Sequence, residues 1–108
     1  CEAEIKPGAP MANVFAAYAK TFDAAGLQDA RLKACGYGMG AIYNPIWVDF
    51  PMFYEGNPLL MQAGQVFFLH MIAMDDAAGA AMCLGHSVLV TDTGVERLSR
   101  HPLDLIIR

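Results

Sequence analysis

One histidine lies in the middle of the most apolar run of the chain, VFFLHMIAM at residues 66–74. An imidazole has an unperturbed pKa of about 6.5, which suits general acid or base catalysis near neutral pH. A histidine inside an apolar strand can also be a core residue whose ring nitrogens are hydrogen-bonded. The sequence therefore leaves two interpretations of His70 open: it belongs to the core, or it faces an active site.

Two further side chains could carry chemistry. His86 lies in the apolar run LGHSVLVT, and Tyr37 lies between glycines in GYGMG. The two histidines could bind one metal ion together, but such a site needs at least a third ligand. Tyr37 could donate a hydrogen bond to a substrate carboxylate or to a developing oxyanion. The alternatives are that Tyr37 is an aromatic cover of the core and that His86 is a partly exposed strand residue.

A wall for a small ligand could come from the aromatic segment YNPIWVDFPMFYEGNP. Ligand pockets are lined mainly by apolar and aromatic side chains, with a few polar groups that fix orientation. We take Tyr43, Trp47 and Tyr54 as candidates for substrate binding. Packing against the core is the alternative for all three.

The other reactive groups have structural interpretations. Asp75 and Asp76 lie in DDAAG, which is a turn sequence. Cys35 and Cys83 have neither a base nor a motif beside them, and we interpret them as small buried hydrophobes. The three cysteines, which include Cys1, lack CxxC spacing. We therefore expect neither a disulfide framework nor a zinc knuckle, and a cytoplasmic location fits best.

Periodicity predicts the elements that must position these side chains. Val14, Tyr18 and Phe22 repeat at i, i+4 and i+8 and predict a helix over residues 11–26. Apolar runs predict strands near residues 35–43, 66–74, 80–91 and 95–98, with a hairpin between the middle two and a loop over residues 44–58. A helix followed by antiparallel strands predicts an α+β fold.

Length and composition place limits on this fold. The 108 residues are enough for one small domain, but 56% of them are hydrophobic, only 17% are charged, and the mean hydropathy is +0.34. A self-contained domain of this size should have a more charged surface. The chain could form an obligate oligomer or be part of a longer protein. We favour the latter, because the chain begins at Cys1 within a pattern.

Two classes of partner are excluded by the distribution of charge and apolar residues. The formal net charge is −4, and the seven Lys and Arg residues are scattered, so we expect no nucleic-acid partner. No run reaches the roughly 18 consecutive apolar residues of a membrane span. We therefore expect no membrane association.

Three motifs in order give the chain a family resemblance. They are GYGMG at residues 36–40, GQVFFLHMI at 64–72 and LGHSVLVTDTGVE at 84–96. They resemble GHGIG, GMVFTIEPG and RIEDTVLVTxxGxE in the superfamily of creatinase, prolidase, aminopeptidase P and methionine aminopeptidase. The resemblance implies that residues 1–108 are the C-terminal half of a "pita-bread" catalytic domain, with an amphipathic helix and an antiparallel sheet. The N-terminal half of the same chain, with the first two metal-binding aspartates, would then be the main partner.

The resemblance also implies that the metal ligands of this half are replaced. Metal-dependent members hold two divalent ions with aspartates, glutamates and a histidine, because hard cations prefer carboxylate oxygens and bridging carboxylates hold two ions together. The family's histidine falls on Tyr37, and its two glutamates fall on His70 and Gly85, with His86 directly after. A phenol with a pKa of about 10 is a poor ligand at neutral pH, and glycine offers none. We therefore expect no dinuclear metal centre and no cofactor.

The function implied by the resemblance is hydrolysis of a C–N bond in a small substrate, either dipeptide-like or a zwitterionic nitrogen compound. The catalytic residues would be His70, His86 and Tyr37, working without metal as in creatinase. Ectoine hydrolase has a similar pattern. A lyase acting on a small osmolyte is a second enzymatic possibility. A catalytically degenerate homologue that serves as a binding module is the non-enzymatic alternative. We expect a homodimer, and we expect residues 1–108 to be inactive by themselves.

Overall fold

The computed structural model describes residues 1–41, 45–46, 48–104 and 107. Within these residues, a short 3-10 helix at Glu2–Glu4 precedes one α-helix and five strands: α1 (Met11–Ala24), β1 (Ala34–Gly38), β2 (Asp49–Tyr54), β3 (Val66–Asp75), β4 (Ala80–Val90) and β5 (Val95–Arg97). Neighbouring strands are antiparallel in the order β2-β1-β3-β4-β5. The predicted α+β fold, with one amphipathic helix and an antiparallel sheet, is confirmed.

Helix α1 covers one face of the sheet. Its buried side chains are Met11, Val14, Phe15 and Tyr18, which recur at the spacing of a single helical stripe. They form one core cluster with buried strand residues that include Phe67. The helix ends at the predicted place, where Gly26 has a φ of 72° and follows the C-cap residue.

The long hairpin of β3 and β4 carries the centre of the sheet. Phe67 pairs with Val88 across the two strands. Both residues, together with Leu69, belong to the core cluster that packs against α1. The turn between the strands is the predicted one, because Asp75 Oδ1 accepts a hydrogen bond from the Ala78 N–H at 3.0 Å. Side chains alternate along a strand, so the residues between the core positions project from the opposite face, which we call the open face.

The aromatic segment before β3 differs from the prediction. We expected a loop over residues 44–58, but part of it forms the edge strand β2. Phe53 in this strand is fully buried and packs on Phe67, with ring centroids 4.7 Å apart. Pro51 is compatible with an edge position because it has no N–H to donate to a second neighbour. Strand β1 is also shorter than predicted and ends at Gly38.

Asn57 ties the segment after β2 to the core. It is completely buried, its Nδ2 donates to the Met52 carbonyl at 2.6 Å, and its Oδ1 accepts from the Leu59 N–H at 3.1 Å. The Asn57 carbonyl also accepts from the N–H of Ala12 in the first turn of α1. The side chain and the backbone carbonyl of one residue therefore fix the end of β2 against the start of the helix.

No helix among the described ranges is both long and apolar enough to cross a membrane.

Replacement of Asn57 tests this arrangement. Asn57→Ala removes the partners of the partly buried Met52 carbonyl and Leu59 N–H, so the free energy of unfolding should fall by about 1–3 kcal/mol. Chemical denaturation monitored by circular dichroism measures the change. Asn13→Ala, at an exposed helix position, is the control and should change stability by no more than about 0.5 kcal/mol. Equal effects of the two substitutions would contradict the role of Asn57.

Candidate functional site

The register of the central hairpin separates the two histidines. Leu69 pairs with His86, and the next pair is His70 with Gly85. Directly paired residues project to the same face of a sheet, whereas successive residues project to opposite faces. His86 therefore lies on the helix side with Leu69, and His70 lies on the open face. The two histidines are on neighbouring strands as predicted, but the idea that they could bind one metal together is wrong.

Three rings form a cluster on the open face, contributed by Tyr37, Phe68 and His70. The ring centroids of Tyr37 and Phe68 are 5.7 Å apart, those of Phe68 and His70 are 5.1 Å apart, and Tyr37 meets His70 edge-on at 5.9 Å. Tyr37 pairs directly with Phe68 across β1 and β3, which explains the contact. The structure thus brings together two of the three predicted catalytic residues.

The exposure of His70 differs from that of its neighbours along the strand. Phe67 and Leu69 are 1% and 2% exposed, whereas His70 is only partly buried. Its imidazole consequently lies outside the hydrophobic core. This placement favours the interpretation of His70 as a residue that faces a site over that of a core histidine.

Gly85 lies directly across from His70, and the ring of Phe68 covers it. A Cβ atom on Gly85 would lie 2.5 Å from Cζ of Phe68 and 2.9 Å from the carbonyl oxygen of Leu69. Both distances are far shorter than van der Waals contact. The space into which a side chain at position 85 would extend is therefore occupied by an aromatic ring.

The predicted substrate wall is only partly described. Tyr54 ends the edge strand β2, is 40% exposed, and alternates with the buried Phe53. Since Met52 pairs with Tyr37, Tyr54 shares the open face with Tyr37. Tyr43 and Trp47, the other two residues predicted for this wall, lie outside the described residues.

His86 belongs to a different cluster on the helix side of the sheet. It is 7% exposed, so the expectation of a partly exposed residue is wrong. Its Nε2 touches the carboxylate of Glu2, although neither ring nitrogen is placed for a directional hydrogen bond. Arg97 donates to the same carboxylate through Nε at 2.9 Å and Nη2 at 3.1 Å. The three side chains line a cleft of about 360 Å³ whose remaining lining includes Met71 and Leu84.

The charges of this cluster shift two pKa values, and the hydrogen bond to Glu2 raises the pKa of the Arg97 guanidinium. The hydrogen bonds from Arg97 hold the pKa of the Glu2 carboxyl below its usual value, with a smaller contribution from His86, while partial burial opposes the shift. The cluster joins the short N-terminal helix to β4 and β5. Its geometry is that of an ion-pair network that fastens the N-terminal segment to the sheet.

The two cysteines of the sheet have different environments. Cys35 is fully buried, as predicted, and burial raises the pKa of its thiol to about 12. Such a thiol stays protonated and unreactive at neutral pH. Cys83 is exposed, so the prediction that it is a buried hydrophobe is wrong. It pairs with Ile72, two positions along each strand from the pair of His70 and Gly85, so it lies on the open face.

Residues 1–92 match the model of metallopeptidase family M24. The chain belongs to this family. No curated protein sequence matches the chain. The family assignment confirms the resemblance stated above and the partial pita-bread domain that it implied.

Solved structures show the same fold. A dipeptidase from Mycobacterium ulcerans superposes with a TM-score of 0.86 at 24% identity, over 97% of this chain and 27% of that one. An Xaa-Pro dipeptidase from Bacillus anthracis gives a TM-score of 0.86 at 17% identity, over 99% of this chain and 29% of that one. A methionine aminopeptidase from Thermotoga maritima gives 0.68 at 17% identity, over 93% and 46%. The chain therefore spans less than a third of the length of the two dipeptidases.

The family name implies a metal, and the donor groups present do not fit a dinuclear centre. The motif comparison puts Tyr37, His70 and Gly85 at the ligand positions of this half. Gly85 has no donor atom, and the Phe68 ring fills the space above it. Within the described part of the chain, no group of three or more His, Cys, Asp or Glu side chains is arranged to hold a metal ion.

Sequence reasoning missed three residues of these clusters. Phe68 could have been found, because it occupies the threonine position of the family motif GMVFTIEPG and a ring there changes the surroundings of His70. Glu2 and Arg97 are 95 positions apart, and no local pattern links them. Only the folded structure shows that the side chains of Glu2 and Arg97 meet beside His86.

The Glu2 network predicts a specific pH dependence. A carboxyl whose pKa is lowered by folding adds stability above its unfolded pKa, and this contribution is lost as the pH falls through the folded pKa. Glu2→Gln should lower the free energy of unfolding at neutral pH by at most about 1 kcal/mol, because the pair is partly solvated. The difference from the wild type should therefore shrink as the pH falls through the lowered pKa of the Glu2 carboxyl.

Denaturation curves across this pH range measure the effect. Glu96→Gln changes an exposed carboxylate next to Arg97 in β5 and is the matched control. A Glu2→Gln curve that runs parallel to the Glu96→Gln curve at every pH would show that the network contributes nothing.

Proposed function

We propose that this chain is part of a hydrolase that cleaves a C–N bond in a small substrate without a dinuclear metal centre. The substrate is dipeptide-like or a zwitterionic nitrogen compound. The observation that carries the proposal is the position of His70. It is a partly buried imidazole on the open face, in edge contact with Tyr37, at the place where the family motif has a metal-binding glutamate. Membership of a peptidase family and the likeness to dipeptidases support the reaction class.

Two polar groups of the open face, His70 and Tyr37, suffice for the proton transfers of hydrolysis. His70, as the neutral imidazole, takes a proton from water as the water oxygen attacks the electrophilic carbon. The Tyr37 hydroxyl donates a hydrogen bond to the oxyanion that develops on that carbon. The imidazolium then returns its proton to the leaving nitrogen as the C–N bond breaks. Each atom and proton is accounted for by water, substrate and one imidazole.

His86 has no part in this mechanism. It lies on the helix side of the sheet with Leu69, and the Glu2 carboxylate is against its ring. Tyr54 provides one aromatic side chain at the edge of the open face, and Tyr43 and Trp47 stay predictions for the same wall. We further propose that the other half of the domain closes the open face, that the enzyme acts as a cytoplasmic homodimer, and that residues 1–108 are inactive without that half.

The competing proposal is a degenerate homologue that binds a small molecule without turnover. The loss of any side chain at Gly85 favours it, because the metal ligand there has no chemical substitute. A lyase that acts on a small osmolyte would use His70 as the base that removes a substrate proton. The three alternatives differ in whether turnover occurs and in whether water is consumed.

Substitution of His70 tests the proposal. The complete protein is assayed against Xaa-Pro dipeptides and small zwitterionic amides, with product analysis by mass spectrometry in H₂¹⁸O. His70→Ala should lower kcat by about 10²- to 10⁴-fold, the range for loss of a general acid–base group, with an unchanged circular dichroism spectrum.

His101→Ala is the control, since it removes an exposed histidine from the C-terminal segment, and it should leave kcat unchanged. Incorporation of one ¹⁸O atom identifies hydrolysis, and its absence from the product identifies the lyase. Equal activity of the His70→Ala variant and the wild type would refute the catalytic role.

A further inference from the structure

Phe68 is the central ring of the open-face cluster. Its ring lies 5.1 Å from that of His70 and 5.7 Å from that of Tyr37, with interplanar angles of 52° and 54°. The same ring extends over Gly85, where its Cζ and Cε2 atoms come within 2.5 and 3.1 Å of the position of a Cβ. Phe68 therefore contacts both polar groups of the proposed mechanism and the strand opposite.

The glycine at position 85 is required by the atoms that surround it and not by its own backbone conformation. Gly85 is not among the glycines with a positive φ, so a side chain would cause no backbone strain there. The obstacle is the Phe68 ring, together with the Leu69 carbonyl oxygen 2.9 Å away. Phe68 and Gly85 thus form an interlocked pair, in which the absence of one side chain makes room for the other.

This pair determines the surroundings of His70. In an antiparallel sheet a side chain is restrained by its direct cross-strand neighbour, but the neighbour of His70 is Gly85, which has no side chain. The Phe68 ring covers the glycine and takes the place of that neighbour, as aromatic rings do when they cover glycines in designed sheets. Without the ring, the imidazole would have open space on that side and several rotamers available.

We propose that Phe68 positions the imidazole of His70, and that the absence of a side chain at Gly85 leaves the space that the Phe68 ring occupies. This inference rests on the proposed function for its catalytic consequence, but the packing that it claims is independent of activity. Phe68 acts through His70 and has no chemistry of its own.

The first experiment measures the surroundings of His70 without any substrate. The complete protein is labelled with ¹³C at the histidine ring, and the Hε1 resonances are assigned with His70→Ala and His101→Ala. The rings of Phe68 and Tyr37 should displace the His70 resonance from that of the exposed His101. In Phe68→Leu the His70 resonance should move towards that of His101. Phe50→Leu, which removes a 68% exposed ring from the edge strand β2, is the matched control and should leave it in place.

The second experiment tests the interlock by a double-mutant cycle. Gly85→Ala should lower the midpoint of denaturation in the wild-type background, because the new methyl group meets the Phe68 ring. In the Phe68→Leu background the same change should have a smaller effect, since the ring is gone and only the Leu69 carbonyl oxygen still restricts the methyl group. Additive effects of the two substitutions, or a His70 resonance unchanged in Phe68→Leu, would overturn the proposal.

Kinetics connect this packing with the reaction. Where turnover is found, Phe68→Leu should lower kcat about tenfold or more with a smaller change in KM, because a misplaced base weakens the chemical step more than binding. If no substrate is turned over, the proposed function fails while the resonance shift and the cycle still decide the role of Phe68. If turnover and KM are unchanged in Phe68→Leu although His70 moves, the positioning role is refuted and the proposed function stands.

Discussion

The register between β3 and β4 is the constraint on which the rest of the structure depends. Ten consecutive cross-strand pairs join the two strands, and each pair assigns its side chains to one face. The core face fixes this register, because Phe67 and Val88 must both meet helix α1. A shift of the strand pairing by one residue would move all the core side chains of one strand to the solvent face. The contacts that stabilise the fold therefore also hold His70 on the open face and His86 on the helix side.

The open face has the architecture of a metallopeptidase but different side chains. An aromatic ring fills the space above Gly85, and an imidazole and a phenol lie beside that ring. Hard divalent cations prefer carboxylate oxygens, and this set offers none. The same set offers one imidazole and one hydroxyl donor, which are the kinds of group that acid–base chemistry uses. On our proposal, replacement of the ligands changes the type of chemistry that the face supports, and the fold stays the same.

Periodicity predicted the helix and the hairpin because each is encoded by apolar residues that recur along one continuous stretch of the sequence. It failed at β2, where prolines and asparagines suggested a loop and only the packing of Phe53 on Phe67 reveals a strand. The fold family followed from three motifs in order, although each motif alone is weak. Of the candidate site, His70 and Tyr37 were predicted. The assignment of His86 to the same site failed because sequence proximity to a motif does not say which face a strand residue takes.

The central claim is that a metal-free aromatic and imidazole site replaces the dinuclear centre of the family. Elemental analysis of the complete protein, purified without chelators and then equilibrated with manganese, cobalt or zinc and desalted, tests it most directly. The account predicts far less than one tightly bound ion per chain, and turnover that is unchanged by a chelator. Two tightly bound ions per chain would contradict the account.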